Sequence, residues 1–150
     1  PARGAGRRPL MRFWDSSALL PLLVEQPFSS RVRTFRDDDP DIVAWWSTPI
    51  ECSSAVARLR REGAISETQG AELGRRLLRM RDSWYEVTPG DRVRDQALRL
   101  LRVHPLRAAD ALQLAAACEW AGSPPAGELV TFDERLARAA TREGFTVFGT

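Results

Sequence analysis

Residues 11–24 read MRFWDSSALLPLLV. Met11 to Asp15 is a short apolar stretch without the polar alternation of a half-solvated strand. It runs directly into SSALLPLLV, where the pattern becomes helix-like. A strand buried on both faces that passes at an acidic residue into a helix is the unit of a parallel α/β sheet. The same unit recurs near the end of the chain, where ELVTF (128–132) reads as a strand, DERLARAATRE (133–143) as a helix closed by Gly144, and FTVFG (145–149) as a last strand.

Between these two units the alternation continues. Ser29 or Ser30 is placed to cap a helix through Phe35, the acidic turn DDDPD (37–41) closes it, and IVAWW (42–46) reads as the second strand. Thr48 is a good N-cap, Pro49 suits the first helical position, and Glu51 stands three residues after the threonine as in a capping box. That helix runs through AVARLRR to Gly63. Ser66 and Gln69 form a second capping-box pattern, opening an arginine-rich helix to about Met80. WYEV (84–87) is a short strand, Asp91 to Val103 a helix broken at His104-Pro105, and LRAADALQLAAACEWA (106–121) a strongly apolar helix expected at the centre of the core. SPPAG (123–127) is a loop. The expectation is one α/β domain over residues 11–150, built on a mostly parallel sheet. Residues 1–10, PARGAGRRPL, read as a disordered lead-in, a tag remnant or an upstream extension.

With 150 residues, 43% apolar and 28% charged, the chain can bury a core without staples. No apolar run approaches the roughly 20 residues needed to span a bilayer, and ALLPLLV is too short for a signal sequence; a cytoplasmic protein is expected. Cys52 and Cys118 lie in apolar helical segments without metal-ligand spacing, as buried reduced thiols do. All 22 basic residues are arginine. The lack of lysine excludes P-loop nucleotide binding, Schiff-base chemistry and receivers that pair an aspartate with a lysine. The single histidine, His104, argues against zinc sites rich in histidine and against paired-histidine ribonuclease chemistry. No G-x-S-x-G elbow presents a serine for a triad.

Oxygen ligands remain. In a parallel sheet, ligands gather beyond the carboxyl ends of the strands. Asp15, Glu51 and Asp133 fall at or just after such ends, and Asp110 lies in the first turn of the apolar helix, where it can project into the same crevice. Each has an ordinary structural role available: Glu51 in a capping box with Thr48, Asp133 as an N-cap (or Thr131 with Glu134), Asp15 and Asp110 as complements to helix dipoles. Together they make a different case. Asp110 sits among alanines and leucine with Arg107 as its one local cation, and a buried carboxylate is costly unless paired or bound to metal. Converging carboxylates repel one another, divalent cations remove that repulsion, and an all-oxygen donor set selects Mg²⁺ or Mn²⁺ over zinc. Two such ions about 3.5–4 Å apart can activate water and hold the leaving oxygen of a phosphodiester.

The segments FWDSSALL, PIECSSAVARL, LRAADALQLAAA and LVTFDERLARAA, in that order and spacing, resemble those of PIN-domain ribonucleases, especially the VapC-like toxins of bacterial toxin–antitoxin pairs. The resemblance covers almost the whole chain from Met11. It implies a three-layer α/β/α sandwich and an acidic quartet of Asp15, Glu51, Asp110 and Asp133, with the first three as core metal ligands and Asp133 as the more variable fourth. It also implies Mg²⁺ or Mn²⁺, hydrolysis of single-stranded or loop RNA to leave a 5′-phosphate, homodimers, and inhibition by a small antitoxin. The lead-in is longer than is usual for the family and the sequence ends with FTVFGT (145–150), but neither departure touches the quartet.

Around the quartet the alternatives stay open. Ser16 and Thr131 either cap helices or reach a water at the metal or the scissile phosphate. Arg58, Arg60 and Arg61, and Arg75, Arg76, Arg79 and Arg81, either grip RNA phosphates or form solvated helix faces; a net charge of only +2 argues against a large basic footprint. Five tryptophans can stack bases or fill the core, and Trp45 and Trp46, adjacent in a strand, should face opposite sides of the sheet. A competing account is a PIN-fold module that binds RNA or peptide with little or no hydrolysis.

Overall fold

A computed structural model describes residues 11–150; the expectation for residues 1–10 lies outside that range. The element order is β1 (Arg12–Trp14), α1 (Ser16–Leu23), α2 (Ser29–Asp38), β2 (Ile42–Trp45), α3 (Thr48–Arg61), α4 (Glu67–Ser83), β3 (Tyr85–Val87), α5 (Asp91–Val103), α6 (Ala108–Ala121), β4 (Glu128–Thr131), α7 (Glu134–Glu143) and β5 (Thr146–Gly149). The strands form one sheet in the order β3-β2-β1-β4-β5. Every pairing is parallel.

Strand alternation sorts the core into two layers. Phe13, Val43, Trp45 and Leu129 point to one face, where α5, α6 and α7 cover them through Val93, Ala97, Leu100, Leu114 and Leu136. Trp14, Ile42, Ala44 and Val130 point to the other, covered by α1–α4 through Leu19, Val32, Cys52, Leu73 and Leu77. The result is the expected α/β/α sandwich. The central strands β1 and β2 are buried at every position, whereas the edge strands β3 and β5 expose Tyr85 and Thr146. Trp45 lies in the core, whereas Trp46, expected in the same strand, falls in the turn after β2 and is 47% exposed. Both cysteines are buried and free.

Four local expectations are corrected. The second helix begins at Ser29 with Phe28 at the cap position and no side-chain cap; buried Ser29 instead accepts from the Gln26 N–H (2.9 Å) and donates to the Pro21 carbonyl (2.7 Å), tying α1 to α2. That helix also continues to Asp38, so the acidic turn loses its first two residues to the helix. Asp38 is retained there because its carboxylate receives the buried Arg12 guanidinium at 2.9 Å. The Ser66–Gln69 capping box forms as read, but α4 continues to Ser83, one turn past Met80. Finally, Thr48 does not cap α3: Ser47 holds the cap position and no side-chain cap bond is made.

The order of the strands positions the site. The chain builds β1, β2 and β3 outward on one side, then crosses back through α5 and α6 to add β4 on the other side of β1. Such a reversal opens a crevice at the carboxyl ends of the two strands that flank it.

Candidate metal centre

Asp15 follows β1 directly, with its backbone N–H bonded to the Val130 carbonyl of β4 at 3.2 Å. It is the N-cap of α1 and is only 3% exposed. One carboxylate oxygen, Oδ1, accepts from Ser17 Oγ (2.7 Å) and from the Ala18 N–H (3.3 Å). Burial drives the Asp15 carboxyl up to about 7, the bonds from Ser17, Thr131 and Ala18 pull against that, and the neighbouring Glu51 charge adds to it. No arginine pairs with it among the described residues, so near neutral pH this carboxyl lacks the countercharge that its burial demands.

Glu51 reaches the same crevice from the first turn of α3, and the unformed capping box explains how. Its side chain caps no backbone N–H at the helix end, and its one contact there is with the hydroxyl of the cap residue Ser47. Oε2 accepts from Ser16 Oγ (2.8 Å), and Oε1 accepts from Gln113 Nε2 (2.9 Å) and Ser47 Oγ (3.3 Å). Asp110, in the first turn of α6, is half-buried; burial, then Asp133, then Glu51 raise its pKa, against the charge and backbone N–H of Arg107. Asp133 serves as the N-cap of α7, Oδ1 accepting from the Leu136 N–H at 2.8 Å. The structural role available to Asp133 is therefore real, and its second oxygen remains for the cleft it shares with Asp110.

The four carboxylates thus gather at one end of the sheet. Asp15 senses Glu51, while Asp110 senses both Glu51 and Asp133. Among the described residues no three His, Cys, Asp or Glu side chains are close enough to enclose an ion unaided. The fit to a cation rests instead on the chemistry of the donors, which are carboxylates and hydroxyls throughout, and on their uncompensated charge. Such a set suits Mg²⁺ or Mn²⁺.

Ser16 and Thr131 both lie here. Ser16 bonds Glu51 rather than capping a helix. Thr131, wholly buried, accepts from the Asp133 N–H (3.0 Å) and lies 3.3 Å from Ser17 Oγ. Two residues went unread in the sequence. Ser17 bridges the switch point, donating to Asp15 and accepting from the Phe132 N–H at 2.9 Å. The serine pair after Asp15 was the only signal, and it does not say which serine turns inward. Gln113 is the other, and its signal was a lone amide in an alanine-rich helix.

The arginines are distributed otherwise than their density along the chain suggests. Arg75 and Arg79 share Glu72. Arg76 donates to the Leu22 and Leu23 carbonyls that end α1. Arg58 and Arg61 are exposed on α3. Arg107, Arg135 and Arg138 instead line a cleft of about 470 Å³ with Asp110, Asp133 and Glu134, two of the four acids among them.

Comparisons with known proteins bear on the family and the fold. The PIN domain family model matches residues 12–142. Solved structures of similar fold include FitAcB from Neisseria gonorrhoeae, at 18% identity with a TM-score of 0.66 over 93% of this chain and 97% of the other. A toxin–antitoxin complex from Klebsiella pneumoniae aligns at 14% identity and a TM-score of 0.64, over 84% of this chain and 90% of that one. VapC20 of Mycobacterium tuberculosis, described as a sarcin-ricin loop cleaving toxin, aligns at 16% identity and a TM-score of 0.65, over 91% and 96%. At these identities the likeness is one of fold. Comparison with curated protein sequences returns no match. With the family model spanning nearly all of the described residues and the acidic side chains gathered where the sheet reverses, the chain belongs to the PIN domain family.

Proposed function

We propose that this PIN domain is a Mg²⁺- or Mn²⁺-dependent endoribonuclease and the toxin of a toxin–antitoxin pair. The observation that carries the reading is Asp15, a buried carboxyl raised to about 7 by burial and facing a second carboxylate, Glu51, with no arginine paired to either among the described residues. A cation held by Asp15, Glu51, Asp110 and Asp133 would remove that repulsion and supply the charge that polarises an attacking water and steadies a leaving oxygen. Ser16 and Ser17 orient Glu51 and Asp15 through bonds of 2.8 and 2.7 Å, so the protein's own contribution is to hold these oxygens in place.

RNA phosphates would follow the cleft lined by Arg107, Arg135 and Arg138 beside Asp110 and Asp133. Arg138 there already meets Glu134 of the same cleft at 3.8 Å, which leaves Arg107 and Arg135 as the better candidates, and Arg76 on α4 would likewise have to give up the Leu22 and Leu23 carbonyls. The toxin role draws on the fold shared with a toxin–antitoxin complex and with a sarcin-ricin loop cleaving toxin. A small antitoxin partner and a homodimer belong to the same reading, and exposed Ile50, Leu78, Leu98, Leu101 and Val103 offer apolar surface for such contacts. No helix among the described residues is long and apolar enough to cross a membrane.

The test is cleavage of a mixed RNA panel with Mg²⁺ or Mn²⁺, with and without chelator, alongside Asp15→Asn and Asp110→Asn. Metal-dependent cutting that both substitutions abolish supports the nuclease. A folded wild type that binds metal and RNA yet cuts nothing across the panel turns the reading to the binding module.

A further inference from the structure

Gln113 is 1% exposed, in a helix that otherwise fills its buried side with alanine, leucine and one cysteine. It stands one turn after Asp110, so the two share a face of α6. Its Nε2 donates to Thr48 Oγ1 at 3.1 Å and to Glu51 Oε1 at 2.9 Å, which uses both amide hydrogens. Its Oε1 is buried and has no partner among the described residues. The reverse orientation of the amide would set that oxygen against the Glu51 carboxylate, so the Glu51 charge itself selects the rotamer.

A buried amide with one end unpaired is a poor way to fill a core. Methionine would occupy the same volume without stranding a carbonyl. The return for the stranded oxygen is a strut between two helices that reach the crevice from different parts of the chain. Thr48 anchors the amide on α3, and the amide fixes Glu51 relative to Asp110. Glu51 is held from its other side by Ser16, so the carboxylate is oriented at both oxygens. This arrangement is available because neither Thr48 nor Glu51 caps a backbone N–H of α3, which leaves the Thr48 hydroxyl and the Glu51 carboxylate to Gln113.

We propose that Gln113 is a positioning residue that holds Glu51 ready for the cation; this rests on the metal-nuclease reading of the same site. The hydrogen bonds leave Oε1 and Oε2 of Glu51 oriented and the distance between α3 and α6 set, so that a cation meets a donor set that does not have to be reorganised. Partners that orient a ligating side chain are typically worth about tenfold or more in metal affinity.

The experiment compares wild type with Gln113→Met by isothermal titration with Mn²⁺, by thermal melting without metal, and by RNA cleavage kinetics. The expected result is Mn²⁺ affinity lowered about tenfold, kcat lowered with KM little changed, and a metal-free melting temperature equal to or above that of wild type. Thr48→Val, which removes the anchor but leaves the Gln113–Glu51 bond, should weaken Mn²⁺ in the same direction and by less, and it carries the test if Gln113→Met does not fold. Wild-type Mn²⁺ affinity and kcat in the folded variant would overturn the proposal. So would a loss of affinity that merely tracks a fall in metal-free melting temperature, because that is the mark of a structural role. A folded wild type that takes up no manganese and cuts no RNA overturns the nuclease reading itself and the proposal with it.

Discussion

Asp15 couples burial to charge more tightly than any other group at the site. Its native carboxyl titrates near 7, against 3.8 for the unperturbed group, so between those values the folded protein holds a proton that the unfolded chain releases. Stability from this residue is therefore full at low pH and is lost as pH rises through about 7. The metal-free protein should show a falling urea midpoint between pH 5 and pH 8, and Asp15→Asn should flatten that slope; equal slopes in the two proteins would refute the assignment. Divalent binding must displace the same proton, so Mn²⁺ affinity should increase over the same interval, measured by titration at several pH values. At Cys52 the expectation is chemical inertness. Burial, with Glu51 and Asp15 adding to it, pushes the thiol up to about 12, so the native protein at pH 8 should react with a thiol reagent at Cys52 only as fast as it opens.

The start of α3 and the start of α4 show how the same short pattern can end differently. Ser66 and Gln69 close a reciprocal box with bonds of 2.7 and 3.1 Å. This end is exposed, nothing competes for either side chain, and Ser66→Ala should cost about 1 kcal/mol in equilibrium unfolding. Thr48 and Glu51 have the same spacing, but α6 lies across them and Gln113 captures both. Local propensity yields there to a partner 65 residues away in the chain. Strand β5 carries a comparable long-range constraint. Gly149 adopts a φ of +115°, and a Cβ there would stand 2.1 Å from the Thr131 carbonyl oxygen at the end of β4. Gly149→Ala should therefore destabilise the fold by about 1–3 kcal/mol and disturb Thr131 and Asp133, visible as a weakened Mn²⁺ titration.

At the scale of the molecule, the sheet is fastened at the end away from the site. Arg12, 4% exposed on the central strand, bonds Glu128 of β4 at 2.5 Å, Asp38 at the end of α2 at 2.9 Å, and the Phe35 carbonyl at 3.1 Å. The guanidinium also lies 4.6 Å from the Phe148 ring centre, which adds β5 to the cluster. Removing it strands the part-buried Glu128, whereas Asp38 stays in water. Arg12→Ala should lower unfolding free energy by about 2 kcal/mol, less than the full penalty for breaking a wholly buried pair. Because the cluster lies at the opposite ends of the strands from the quartet, Mn²⁺ affinity in the folded variant should be unchanged. Equal stability of wild type and variant in urea would show that solvent already screens the cluster.

The order of strands and helices was legible in the chain because burial on both faces of short strands and 3.6-residue periodicity are local properties of sequence. The acidic positions were legible for a related reason: residues that follow a parallel strand emerge at its carboxyl end whatever the rest of the fold does. Helix ends were less so, as the continuation of α2 to Asp38 and of α4 to Ser83 shows, since the groups that decide them come from elsewhere. Only the tertiary structure decided that the crossing from β3 back to β4 sets α6 over Glu51, that Ser17 as well as Ser16 turns inward, and that Arg107, Arg135 and Arg138 rather than the arginines of α4 share a cleft with Asp110 and Asp133. These are choices among partners distant in sequence, made by burial and charge once the layers close, and periodicity carries no record of them.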